Sequence, residues 1–426
     1  MKSIKQILSL ALPAMVENIL QMLMGVVDSY LVAQVGLIAV SGVSVANNII
    51  TIYQAVFIAL GASCASLIAK AMGEGDEVKT NRFIWDSILV TVLLSLALGL
   101  LSLLAGSSMM SLLGTVTSVT EAGSLYLYLV GGGILFLGLM TTFGSVLRAQ
   151  GKPKVSMNVS LMSNLLNAVL SAMSIYCFHW GIVGVAGATV LSRLIGTVVL
   201  WLVMKLDIKS YQISKPFNRD LLHLVFPAAG ERLMMRAGDV VIIAIVVKFG
   251  TEVVAGNAIG ETLTQFNYMP GMGVATATVI LVAHSLGAGK KEEIKSLVAT
   301  SYWISTLLMM VVAATVYFLG SGLTGLFTEN SRAVEASVVV LLYSFMGNPI
   351  TSGTLIYTAV WQGLGKAQLP FYATTFGMWV IRIILGYLLG ISLNMGLSGV
   401  WLATILDNLF RVIFLYTMYR KNMKTI

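Results

Sequence analysis

Residues 8–36 read LSLALPAMVENILQMLMGVVDSYLVAQVG. The stretch is long enough to cross a bilayer as a helix, yet it carries Glu17, Asn18, Gln21 and Asp28. A carboxylate near the bilayer centre costs about 2.5–3.5 kcal/mol on insertion scales, so an acid there points to function. Glu17 and Asp28 lie eleven positions apart, which at about 100° per residue is three turns plus about 20°. Glu17, Gln21 and Asp28 therefore share one face, with Gly25 between them. Such a polar stripe must face protein or water rather than lipid. Pro13 interrupts the backbone ladder one turn before Glu17.

The whole chain is built of comparable segments. Its 426 residues are 57% hydrophobic and only 10% charged, a composition that leaves too little polar surface for a soluble domain of this size. Apolar runs of bilayer length recur at 7–34, 40–71, 83–107, 121–147, 155–178, 184–204, 221–247, 253–284, 294–319, 333–361, 369–391 and 397–419. This predicts an all-α polytopic membrane protein with twelve transmembrane helices and no loop large enough for a soluble domain.

The net charge of +8 follows topology. Of 26 Lys and Arg residues, 19 fall at the N-terminus, in every second loop or at the C-terminus. By the positive-inside rule both termini are cytoplasmic, as an even helix count requires, and the basic balance is no sign of a nucleic-acid partner. Lys2 and Lys5 precede an apolar run, but Glu17 interrupts it and no small-residue cleavage site follows, so the segment is expected to be retained. Cys64 and Cys177 make no disulfide framework. His179, His223 and His284 show no ligand spacing, so no metal is expected at them.

An offset of 214 residues pairs Pro13 with Pro227, Glu17 with Glu231, Gly36 with Gly250, Gly42 with Gly256, Gly75 with Gly289, Gly133 with Gly347, and Gly151-Lys152 with Gly365-Lys366. After one inserted residue, an offset of 215 pairs Gly181, Gly184, Val185, Ala188 and Thr189 with Gly396, Gly399, Val400, Ala403 and Thr404. Six helices per copy is an even number, so both copies enter the membrane in the same direction. This is the parallel-repeat arrangement of transporters that rock two bundles about a central site. The expected organisation is an N-terminal bundle over 1–204, a cytoplasmic linker over 205–220 and a C-terminal bundle over 221–426, with substrate in the cleft between halves.

Several stretches carry a more specific likeness. LALPAMVEN…GVVDSYLVAQVG, the loop AKAMGEGDEVK with its copy AHSLGAGKKEE, RAQGKP with its copy QGLGKA, and GVAGATVLSR together resemble the multidrug and toxic compound extrusion (MATE) family. The resemblance spans essentially the whole chain. It implies two six-helix bundles that export cationic or amphipathic compounds against inward flow of H⁺ or Na⁺.

The resemblance also assigns roles. Asp28 stands where the family has its cation-coupling aspartate. The family's Asn-x-x-x-Asp in the fifth helix maps to Asn167 and Ser171, so the second carboxylate is missing here, though the two still share a face. The polar hydroxyl of the sixth helix maps to Ser192, with Thr189 as the neighbouring alternative. Asp28, Asn167, Ser171 and Ser192 form a candidate cation-coupling set; one anion among few oxygens favours H⁺ over Na⁺. The family's sodium-coupled branch has an acid in the seventh helix near Met235, which is not acidic. Glu17, Gln21, Glu231 and Glu261 are candidates for lining the substrate cleft. Arg236 with Asp239, and Asp407 with Arg411, are spaced to neutralise each other within one helix. Arg193 and Arg382 suit helix ends or gates.

The reading is a secondary-active exporter of amphipathic organic cations in exchange for H⁺ or Na⁺. It is expected in the prokaryotic plasma membrane, as a monomer among lipids, without a cofactor. A lipid-linked oligosaccharide flippase of the same superfamily is the alternative, kept open by Arg193, Arg232, Arg236 and Arg382. GEGD and GAGK lack P-loop spacing, and no paired acids for Mg²⁺ appear, so the chain is not expected to be an enzyme.

Overall fold

The structure is a computed structural model that describes residues 2–206 and 218–425. Among the described residues it is helical throughout, with no strand. The first half comprises α1 (Lys2–Ala33), α2 (Leu37–Glu74), α3 (Glu77–Leu112), α4 (Thr117–Gly132), α5 (Ile134–Ala149), α6 (Pro153–Tyr176) and α7 (Gly181–Met204). The second comprises α8 (Arg219–Val246), α9 (Thr251–Gly287), α10 (Lys291–Phe318), the short α11 (Gly320–Gly325), α12 (Ser331–Met346), α13 (Asn348–Gly363), α14 (Gln368–Phe376), α15 (Ile383–Tyr387) and α16 (Leu397–Thr425). Two π-helical segments, Gly377–Arg382 and Leu388–Ser392, join α14 and α15 into one continuous span, Gln368–Ser392.

Among the described residues nine spans are long and apolar enough to cross a membrane, and eleven when each bent pair counts as one. The pairs are α4 with α5, bent by 46°, and α12 with α13, bent by 59°. The bends fall at Gly133 and Gly347, partners in the internal repeat. The expected twelfth span, α8, falls outside this count; its 28 residues hold Glu231, Arg232, Arg236 and Asp239. Most of the expected 205–220 linker, including Lys209 and Lys215, lies outside the described residues.

The repeat is also written in the backbone. Gly36 and Gly250, Gly75 and Gly289, Gly151 and Gly365, and Gly181 and Gly396 all have positive φ, at 145° and 103°, 73° and 70°, 77° and 76°, and 58° and 62°. These inter-helix turns use conformations that side chains with a Cβ rarely adopt. Local signals start the helices that follow: Asp76 caps α3 by accepting from the Lys79 N–H at 2.9 Å, and Pro153 sits at the first position of α6.

By contacts the chain forms two compact units, one of Val16–Ala71 and Asp76–Leu222, the other of Met1–Met15, Met72–Gly75 and His223–Ile426. In the first unit α6 packs on α7, and α3 on α4 and α5. Gly42 of α2 meets the α4 backbone so closely that a Cβ would overlap Gly123 N, at 2.6 Å. In the second unit α9 packs on α10, α12 and α13. Gly256 makes the matching approach, where a Cβ would overlap the Ala333 carbonyl. Such small residues let helices pack at backbone distance, which is how membrane bundles gain contact without a hydrophobic drive.

Candidate functional site

In the first unit, α1, α6 and α7 bring a polar set together. Asp28, in α1, is half-buried. The Asn167 amide of α6 donates to both of its carboxylate oxygens, Nδ2 lying 3.2 Å from each. The carbonyl end of Asn167 accepts from Ser171 Oγ at 3.4 Å and from Thr189 Oγ1 of α7 at 3.3 Å. These two donors fix the amide so that its N–H₂ faces the carboxylate. Asn167, Ser171 and Thr189 are all buried.

Ser192 does not join this set. Its hydroxyl donates to the Thr189 carbonyl at 3.0 Å, while its own carbonyl accepts from Ser163 Oγ at 2.9 Å. Thr189, one helical turn earlier, occupies the place beside Asn167. Three residues apart, the two positions lie about 60° apart around α7, and only the structure shows which of them faces α6.

Arg193 follows Ser192, and its positive charge acts on both Asp28 and Tyr126. Among the described residues its buried Nη1 has no hydrogen-bond partner, and its action on Asp28 is electrostatic. A small cavity lined by Asp28, Ser44, Asn47 and Tyr126 has about 20 Å³ of room for a water centre. That is enough for about one or two waters among polar partners. The carboxylate thus has fixed donors on one side and space for water on another.

The other acid of α1 is differently placed. Glu17 forms an ion pair with Arg148 of α5, Nη1 to Oε2 at 3.0 Å, with both side chains at most 15% exposed. Ser160 Oγ donates to Glu17 Oε1 at 2.7 Å, and Ser156 Oγ to Oε2 at 3.4 Å. Arg148 also donates to Ser156 and Ser145, each at 3.1 Å. Glu17 is a neutralised acid in a satisfied network. Gln21 is exposed on α1.

In the second unit, Glu231 accepts from Thr374 Oγ1 at 3.1 Å, and Arg232 lies close enough to act on it electrostatically. Glu261 of α9 bonds with Asn257, which in turn accepts from the Trp401 indole at 2.9 Å. Asp239 pairs with Arg382 at 3.5 Å, not with Arg236 on its own helix. Asp407 and Arg411 form a buried bidentate pair at 2.7 and 2.9 Å, and Gly377 makes room for it, since a Cβ there would overlap Asp407. Among the described residues no group of three or more His, Cys, Asp or Glu is arranged to hold a metal ion.

Among the described residues the chain is a duplicated set of long apolar helices, the architecture of an integral membrane protein. The MatE family model matches the chain twice, at residues 13–173 and 227–388, and the two matches start 214 residues apart. The protein belongs to the MatE family. It is 26% identical over 424 residues to the probable multidrug resistance protein NorM of Thermotoga maritima, covering 96% of this chain and 90% of that one. It is 24% identical over 431 residues to the multidrug export protein MepA of Staphylococcus aureus, covering 97% and 93%. Among solved structures it superposes on MATE in the straight conformation with a TM-score of 0.92 at 21% identity, covering 100% and 97% of the two chains. It also matches the outward-facing conformation of a multidrug resistance MATE family transporter with a TM-score of 0.92 at 22% identity, covering 100% and 97%.

Proposed function

We propose that the protein is a secondary-active efflux antiporter that exports amphipathic organic cations in exchange for protons carried on Asp28. The observation that supports this reading is the arrangement around Asp28. Its carboxylate receives an amide N–H₂ from Asn167, feels Arg193 and borders a cavity with room for water. A sodium ion needs several hard oxygen ligands. Here the neighbour turned toward the carboxylate is a donor, held in place by Ser171 and Thr189. A proton needs only the carboxylate and a path for water.

Protonating Asp28 removes a negative charge beside Arg193 and withdraws the acceptor that Asn167 satisfies. The site then gains one positive charge, and the contact between α1 and α6 weakens. A state in which that contact is loosened binds the proton better than one in which it is tight. Differential affinity of this kind is what allows a cation to shift a conformational equilibrium. Organic cations are the matching substrates, because a drug cation and a proton then compete for one electrostatic balance. We further propose two six-helix bundles, 1–204 and 221–426, working as a monomer in the prokaryotic plasma membrane with both termini cytoplasmic.

Inverted membrane vesicles with an imposed gradient of H⁺ or of Na⁺ test the reading, with ethidium as the probe. A pH gradient alone is expected to drive ethidium uptake and a Na⁺ gradient is expected to leave it at background. Uptake driven by Na⁺ alone overturns the proton assignment. Uptake driven by neither, in vesicles shown to contain folded protein, overturns drug export and turns the test to lipid-linked substrates.

A further inference from the structure

The internal repeat places a second copy of the Asp28 site in the C-terminal half, and the structure shows what has become of it. Thr189 corresponds to Thr404 at an offset of 215, and Asn167 at the same offset corresponds to Arg382. The contact is kept along with the positions: Thr189 Oγ1 meets Asn167 Oδ1 at 3.3 Å, and Arg382 Nε donates to Thr404 Oγ1 at 3.0 Å. Asp28 itself corresponds to Ile242, which packs in an apolar cluster with Val340 and Val400. An acid is nevertheless present one turn earlier, at Asp239, and the longer Arg382 side chain reaches it at 3.5 Å.

The inserted residue that changes the offset falls where this geometry is made. Ser160 bonded to Glu17 and Thr374 bonded to Glu231 still match at 214. Arg382 and Thr404 match their counterparts at 215. The change of register therefore lies between Thr374 and Arg382, in the π-helical segment Gly377–Arg382. A single widened turn absorbs one extra residue in this way, and such turns concentrate at functional sites.

We propose that Arg382 is a tethered cation that permanently fills the C-terminal copy of the cation site at Asp239, so that only the N-terminal half binds an exchangeable cation. The guanidinium supplies at Asp239 the single positive charge that a proton or Na⁺ supplies at Asp28. It is covalently held and stays charged, so it cannot be exchanged during a cycle. The groups around it are suited to a monovalent cation once it is gone. Glu261 acts electrostatically on both Asp239 and Arg382. Thr404 offers a hydroxyl oxygen. Tyr268 is under the influence of Arg382, Asp239, Asp407 and Arg411, and the last two already neutralise each other. The meaning of the proposal, one coupling site instead of two, rests on the reading of Asp28 as the cation carrier. The test is arranged to stand apart from that reading.

The test counts bound cations on purified protein carrying Asp28→Asn, which takes the N-terminal site out of the measurement. Proton uptake is followed by potentiometric titration and sodium by ²²Na⁺ binding. Adding Arg382→Asn, the amide of the N-terminal half, is expected to yield about one additional H⁺ or Na⁺ per chain. That cation is expected to disappear when Asp239→Asn is added, and Arg382→Lys, which keeps a tethered charge, is expected to yield none. A merely structural ion pair, once broken, would change the melting temperature and leave Asp239 an ordinary carboxylate, ionised at pH 7 and without bound Na⁺, so the count taken at pH 7 would not change. No additional cation of either kind, or one that persists with Asp239→Asn, overturns the proposal. Arg382→Gln replaces Arg382→Asn if the shorter side chain does not give folded protein.

Discussion

Glu17 and Glu231 occupy the same place in the two halves, and each accepts a hydrogen bond from the matching hydroxyl, Ser160 or Thr374. Their cations differ. Glu17 has Arg148 in a direct ion pair, whereas the position 214 residues after Arg148 is Gln362. About two to three helical turns further on, the comparison reverses. Asp28 meets an amide and the cavity for water, while Asp239 meets the guanidinium of Arg382. Of the two acids compared, each half thus has one paired with an arginine from another helix and one that is not, in opposite order. Duplication supplied the backbone, its glycine turns and its hydroxyls. At two matching positions one half has arginine where the other has an amide, Arg148 against Gln362 and Arg382 against Asn167.

This contrast can be broken from its most open end. Asp28→Asn keeps the shape of the side chain and removes its charge, and pH-driven ethidium uptake is expected to fall to the level of vesicles lacking the protein. Opening the closed acid of the same half costs stability instead. Arg148→Ala leaves Glu17 with only Ser156 and Ser160, and removing one partner of a buried pair costs about 3–5 kcal/mol. A thermal-unfolding series in detergent is expected to show this as the largest loss among the paired positions.

The scaffold common to both halves comes next. Gly256→Val drives a side chain into the Ala333 carbonyl and the Ala336 methyl, and overpacking of this kind costs about 1–3 kcal/mol, measured in the same series. Removing the hydroxyl of Thr374 deletes one hydrogen bond to Glu231 and is expected to cost about 1 kcal/mol. The smallest effect sharpens the site itself: Thr189→Val is expected to slow pH-driven uptake severalfold, whereas Ser192→Ala leaves it within twofold of wild type. Equal effects would return Ser192 to the site.

Much of this architecture is legible in the amino-acid order, because spans and repeats are local or periodic signals. Bilayer-length apolar runs announce the helices, and the constant 214-residue offset is visible as identical residues, later seen as matched positive-φ turns. Side-chain partnerships across helices are not local. Glu17 and Arg148 lie 131 positions apart, and nothing near either residue announces the other. The spacing of Arg236 and Asp239 fits a pair within one helix, yet Asp239 reaches Arg382 on a different span, because Arg236 is exposed. The choice between Thr189 and Ser192 turns on helix rotation, which hydrophobic periodicity does not resolve within a strongly apolar segment. The repeat held a usable signal here: Thr189 is preserved as Thr404, whereas Ser192 corresponds to Asp407 in a separate ion pair.

The account turns on one carboxylate exchanging its proton for a drug cation. The most direct measurement is proton release from purified protein in weak buffer, followed with a pH indicator as ethidium is added. Wild type is expected to release up to about one proton per bound ethidium, and Asp28→Asn to release none while remaining folded. Undiminished release from Asp28→Asn would contradict the account and place the exchanged proton on another group.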